Sequence, residues 1–168
     1  MVTASLEREP KTRAHGERLA APAVRAGRFD VVLLATDLSG ASAAATQEAL
    51  ALCGALRARL LIVTVIDTRH LVAQLLPNAR AKRLDQLRAE RERQLVPVVD
   101  AARSKGIDAQ FMVWTGEPGQ GIISAAEAEQ ADLIVVGTRA LDRAGRFLLG
   151  SVSDYVVNHS PCPVLIVR

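Results

Sequence analysis

The chain alternates between short aliphatic runs and longer stretches in which apolar residues return every three or four positions. Five runs stand out: FDVVLLATD (29–37), RLLIVTVID (59–67), DAQFMVW (108–114), DLIVV (132–136) and PVLIV (163–167). They are rich in β-branched and aliphatic residues without polar alternation, which predicts strands covered on both faces. Helical spacing fills the intervals. LSGASAAATQEALALCGALRA follows the first run, with Ser39 as its expected N-cap. After a connection containing Pro77-Asn78, residues 80–105 place Leu84, Leu87, Leu95, Val98 and Ala102 on one face, with Pro97 as an expected kink and Gly106 as a stop. In TGEPGQGIISAAEAEQA, Pro118 suits the first helical turn, while Ile122, Ile123 and Ala126 face inward. A last short helix is expected from about Ser151 to His159.

Strands alternating with helices and buried on both sides define an α/β fold: an open, doubly wound, five-stranded and mostly parallel sheet with helices on both faces, Rossmann-like in plan. Such a sheet binds ligands outside the carboxyl ends of its strands, where the winding direction reverses. The first and fourth strands are expected to be neighbours there. Their ends carry Thr36-Asp37 and Gly137-Thr138, where the sequence turns from aliphatic to small or polar.

Composition narrows the function classes. The 168 residues suit one domain, 29–168, and 49% hydrophobic residues fill one core without metal or disulfide support. Aromatics are 3%, too few for base-stacking on single-stranded nucleic acid. The net charge of +3 resides in residues 1–28, a flexible basic N-terminal extension with six basic and three acidic side chains. The remaining 15 basic and 15 acidic residues balance, so the body has no footprint for a phosphate backbone. No apolar stretch approaches the ~20 residues of a membrane helix, and residues 1–28 lack a signal peptide's apolar middle. Cys53 and Cys162 have no metal or redox spacing. A soluble protein of the reducing cytoplasm is expected, with neither nucleic acid nor membrane as partner.

The segment after the fourth run carries the candidate chemistry. Gly137 is followed by Ala140 and then by Gly150-Ser151, with Arg139, Arg143 and Arg146 against Asp142 in between. A helix starting at Ser151 aims its free N–H groups and positive dipole end into this loop, which makes a cradle for phosphates. The same residues also fit a plain surface loop with a glycine turn and a serine cap. His70 and His159 lack metal-ligand spacing, no phosphate loop of the GxxxxGK[ST] type is present, and the run from Arg88 to Arg93 reads as a solvated helix face.

Residues 29–168 resemble the universal stress protein family. Its nucleotide-binding members carry G-x2-G-x9-G-[S/T] after strand four, matched here by Gly137, Gly150 and Ser151. TDLS (36–39), TGEPGQGI (115–122), ADLIVVGTR (131–139) and LLGSVSDYVVNHSPCPVLIVR (148–168) extend the likeness. The departure is Ala140, which stands at the second glycine; a methyl group there disfavours positive φ and occupies space beside a ligand. The resemblance implies that Asp37 lies against the adenine-ribose part of ATP or a related adenine nucleotide. It further implies that backbone groups of Val65 meet adenine, and that Ser151 and Ser153 lie near phosphates. Thr36, Thr138, Arg139, Ala140 and Val152 complete the expected nucleotide-binding set. Mg²⁺ is expected to accompany the phosphates, with no metal ligands from the protein. The implied role is regulatory, in a homodimer joined through strand 163–167. Catalysis beyond slow ATP hydrolysis or self-phosphorylation lacks a placed base or metal carboxylates. The alternative is a nucleotide-free dimeric stress protein acting through protein contacts, with Ala140 marking a disused site.

Overall fold

A computed structural model of the chain describes residues 29–69, 77–138 and 150–168. The basic extension 1–28 and the arginine-bearing loop 139–149 lie outside the described residues. The strands are β1 (Val31–Ala35), β2 (Arg59–Asp67), β3 (Ala109–Gly116), β4 (Leu133–Gly137) and β5 (Val164–Val167). The α-helices among the described residues are α1 (Ala43–Leu56), α2 (Pro77–Ser104), α3 (Pro118–Ala128) and α4 (Ser151–His159). All strand pairs are parallel, in the order β3-β2-β1-β4-β5.

The unbroken aliphatic strands follow from this arrangement. Alternate residues of a strand point to opposite faces. Val32, Leu34, Leu60 and Ile62 pack with α1 and α2 residues such as Ala49, Cys53, Leu95 and Ala102. Leu33, Ala35, Leu61 and Val63 pack on the other side with Ile122, Ala125 and Ala126 of α3 and Val156 of α4. Both faces are therefore core, and each fully buried Leu or Ile contributes roughly 1.5–3 kcal/mol of transfer free energy. At the amino end of the sheet, Asp132 Oδ2 accepts from the backbone N–H groups of Asp30 and Val31 at 3.0 Å each, tying β1 to the start of β4.

Several local expectations need correction. Ser39 does not cap α1. It precedes a 3-10 turn, Gly40–Ser42, and makes no side-chain capping bond; α1 starts after Ser42. Helix α2 begins at Pro77, earlier than expected, and continues through Pro97. Pro97 is tolerated on the exposed side, while Leu95 and Val99 enter the core; Val98 is only half-buried. Strand β3 runs past Trp114 to Gly116 because the long β2 offers partners as far as Asp67. Pro163, which lacks a backbone N–H, stays outside β5.

Helix α3 is placed by its sequence in three ways. Glu117 caps it, accepting from Gly119 N at 3.3 Å and Gln120 N at 3.0 Å, and Pro118 occupies the first turn. Two glycines then permit close approach. A Cβ at Gly119 falls 2.5 Å from Tyr155 Cδ1 of α4, and one at Gly121 falls 3.0 Å from Val65 Cγ2 of β2. The ring of Tyr155 is itself held, stacked on His159 with centroids 4.0 Å apart.

Gly119→Ala is expected to lower stability. Helix propensity favours alanine by up to about 1 kcal/mol, but overpacking costs about 1–3 kcal/mol, and the contact here is with the near end of a stacked ring. In a Tyr155→Ala background the same substitution should become neutral or stabilising, which a double-mutant cycle in urea checks. Burial of Cys53 raises its thiol pKa from 9.0 to about 11. The unfolded thiol ionises first on raising the pH, so this contribution is complete below pH 9 and is lost as pH climbs to about 11. Stability should fall more steeply across that window in the parent than in Cys53→Ala, by roughly 1.4 kcal/mol per pH unit, as read by denaturation at each pH.

Candidate nucleotide site

A cavity of about 430 Å³ opens at the carboxyl ends of β1, β2 and β4, between the first turns of α3 and α4 and the side of α2. This is the reversal point of the winding: from β1 the chain moves outward through β2 to β3, then returns to the other side of β1 with β4. Thr36, Asp37, Val65, Gly137, Thr138, Gly150, Ser151, Val152 and Ser153 all line the cavity. Arg139 and Ala140 lie outside the described residues.

The turn after β1 is organised by hydroxyl groups. Thr36 donates its backbone N–H to Val63 O at 3.0 Å, extending the tie between β1 and β2. Thr36 Oγ1 accepts from Leu38 N at 3.0 Å and lies 2.8 Å from Ser42 Oγ. Ser42 Oγ donates to Ser39 O at 2.9 Å. Each hydroxyl has one proton, so Thr36 must be the donor to Ser42, and the donors run in one direction: Leu38 N–H, Thr36, Ser42, Ser39 carbonyl. The bonds hold Leu38 at φ 63, a left-handed conformation costing a leucine roughly 1–2 kcal/mol. Its half-buried side chain packs against the core in return. Asp37, exposed beside the cavity, accepts from Ser39 N at 3.0 Å and Ser39 Oγ at 2.6 Å through Oδ1. Ser39 thus serves the aspartate and not the helix.

On the β4 side, Thr138 N donates to Val167 O at 2.9 Å, continuing the ladder to β5 beyond β4 itself. Gly150 caps α4 with φ −64 and ψ 154, angles open to any residue. What glycine supplies at Gly150 is the absence of a side chain. The buried Ser153 hydroxyl turns back to donate to Gly150 O at 2.9 Å, while Ser151 is exposed at the helix start. The first N–H groups of a helix have no intrahelical acceptor, and here the residues that carry them, Ser151, Val152 and Ser153, line the cavity.

Sequence reasoning missed the walls. Leu87 and Arg91, one turn apart on α2, line the cavity, as do Asp67 at the end of β2 and Arg69 just beyond it. Arg91 Nη1 donates to Asp37 O at 3.2 Å and to Gln94 Oε1 at 3.3 Å. Arg69 grips Asp67 with Nε–Oδ1 at 3.0 Å and Nη2–Oδ2 at 2.6 Å, contacts that raise the guanidinium pKa further. Arg91 sits in a dense charge run that reads as solvated, and only the packing of α2 over the β1 turn marks it out. Among the described residues no group of three His, Cys, Asp or Glu side chains is placed to hold a metal ion. No helix among them is long and apolar enough to cross a membrane.

An open parallel sheet, with a cavity of mixed polar and apolar lining at its reversal point and the start of α4 in that lining, defines the doubly wound class of α/β proteins. The sequence model of the universal stress protein family matches residues 28–168, and the chain belongs to that family. A universal stress protein of Thermus aquaticus is 38% identical over 143 residues, covering 83% of this chain and 99% of that one. UspA from Lactobacillus plantarum superposes with a TM-score of 0.73 at 26% identity, over 84% of this chain and 99% of its own. A universal stress protein solved in complex with cAMP gives a TM-score of 0.60 at 29% identity, over 84% and 98% of the two chains.

Thr36→Val keeps the side-chain shape and removes the hydroxyl, leaving Leu38 N–H and Ser42 without their partner. A loss of about 1–3 kcal/mol is expected, measured by chemical denaturation. Amide exchange at Leu38 should accelerate by more than exchange in β3, which follows only the global loss.

Proposed function

We propose that the protein binds an adenine nucleotide in this cavity and serves as a regulatory stress protein. The observation that carries the reading is the convergence of Asp37, Val65, Gly137, Gly150 and Ser151, from separate parts of the chain, on one cavity at the reversal point. Order along the sheet supports one direction for the ligand. β2 offers Val65, β1 offers Asp37, and β4 with the start of α4 offers Gly137 and Gly150-Ser151. A base beside Val65 and phosphates at the start of α4 thus bring the sugar to Asp37. The solved relative in complex with cAMP supports an adenine ligand, and the glycine-serine pattern supports ATP. Magnesium in this reading rides on the phosphates, which suits an ion that keeps most of its waters.

The same reading makes the protein a homodimer through β5. That strand pairs with β4 on one side, and Val164, Leu165, Ile166 and Val167 are each only half-buried. An edge strand of this kind is relieved by pairing with a second copy.

Titration calorimetry of nucleotide-stripped protein with ATP and Mg²⁺ tests the reading, beside Ala140→Gly and Gly150→Asp. The parent is expected to bind, and Gly150→Asp to weaken binding at least tenfold, because a carboxylate at the helix start repels phosphate and fills the space a glycine leaves open, a change of about 1.4 kcal/mol or more. Absence of binding in the parent with rescue by Ala140→Gly overturns the reading. One methyl group would then have closed the site, in favour of action through protein contacts.

A further inference from the structure

We propose that Arg91 recognises the sugar of the bound nucleotide and makes the site selective for ribonucleotides. The proposal rests on the nucleotide reading above and extends it to a residue outside the glycine-serine motif. Three observations carry it. Arg91 projects from α2 into the lining of the cavity. Its Nη1 is anchored on the carbonyl oxygen of Asp37 at 3.2 Å and on Gln94 Oε1 at 3.3 Å. Asp37 follows β1, midway along the sheet edge between β2 and β4.

Neighbouring strands lie about 4.8 Å apart, so a ligand reaching from the end of β2 to the end of β4 crosses β1 at its middle. For a nucleotide with its base at Val65 and its phosphates at Gly150-Ser151, that middle is the ribose. The guanidinium has five N–H donors in a fixed fork. Both hydrogen bonds that Arg91 makes among the described residues use Nη1. Nε and Nη2 therefore have donors to offer to sugar oxygens from the α2 side. Asp37 accepts from the sugar on one side and Arg91 donates on the other, and the bond between Arg91 and the Asp37 backbone fixes their spacing. Gln94, one turn away on α2, orients the fork. A site built to pair with a hydroxyl discriminates strongly against the analogue lacking it, because its own polar groups are then left unpaired.

The test is a cycle of calorimetric titrations. Parent, Arg91→Ala and Arg91→Lys are each titrated with AMP, 2′-deoxy-AMP and 3′-deoxy-AMP, and thermal unfolding confirms that each variant folds. The parent should prefer AMP to 2′-deoxy-AMP, and equal affinity for the two overturns the proposal. Arg91→Ala should weaken AMP binding by roughly tenfold to a hundredfold, the range of a hydrogen bond to a charged group. It should change the affinity for that deoxy analogue by less than about threefold, since the partner hydroxyl is already gone. Arg91→Lys should fall between, keeping the charge and losing the fork. Equal losses on all three ligands would reduce Arg91 to a tether for the Asp37 turn and overturn the proposal, leaving nucleotide binding intact. A parent that binds neither these three nor ATP with Mg²⁺ overturns the nucleotide reading, and this proposal with it; a parent that binds ATP alone is carried through the same cycle with ATP, 2′-deoxy-ATP and 3′-deoxy-ATP. The two failures are thereby distinguished.

Discussion

Burial of both faces of a parallel sheet is the constraint on which this molecule depends. Parallel neighbours cannot be joined by tight turns, so each strand is followed by a crossover that lays a helix on one face or the other. Two crossovers carry the chain outward from β1 through β2 to β3, and the next carries it back past β1 to β4. Helices α1 and α2 then cover one face, and α3 and α4 the other. Where the two directions part, α1 packs on one face of the sheet and α4 on the other, and among the described residues no helix seals the space between the ends of β1 and β4. The cavity is the consequence of that topology, and its mixed polar and apolar lining is what the chain places there.

Rigidity at this opening comes from small groups in tight arrangements. The chain from the Thr36 and Ser42 hydroxyls to the Ser39 carbonyl holds a leucine in a left-handed conformation, and the Ser39 hydroxyl and N–H hold the Asp37 carboxylate. Gly119 and Gly121 let α3 approach Tyr155 and Val65, so one helix braces both the start of α4 and the end of β2. Arg91 adds a third brace from the opposite face of the sheet. In the proposed reading the two ends of the ligand, about two strand spacings or roughly 10 Å apart, meet elements that share contacts. A preorganised site of this kind loses less conformational freedom on binding.

Much of the fold was legible because doubly buried strands leave an unmistakable trace of unbroken aliphatic runs. The runs at 59–67 and 132–136 match β2 and β4 within a residue. The candidate site was legible where chemistry coincides with strand ends: Thr36, Asp37, Gly137, Thr138 and the start of α4 all line the cavity. Ser39 was misread because serine before a helical stretch signals a cap, whereas a carboxylate two residues earlier competes for the same hydroxyl and amide. Glu117 and the two glycines of α3 carried no periodic signal, since their roles depend on what lies opposite them in space.

The sequence by itself determined the element order, the parallel two-faced sheet and the residues at the ends of β1 and β4. These follow from hydrophobic periodicity and from the chemistry of Gly, Pro, Ser and Asp over spans of a few residues. Tertiary structure alone decided that Arg91, Leu87, Asp67 and Arg69 join the same cavity. It also decided that Tyr155 sits against Gly119. A charged helix face looks the same in sequence whether it meets water or overhangs a turn 54 residues away. Only the docking of the helix across the sheet distinguishes the two.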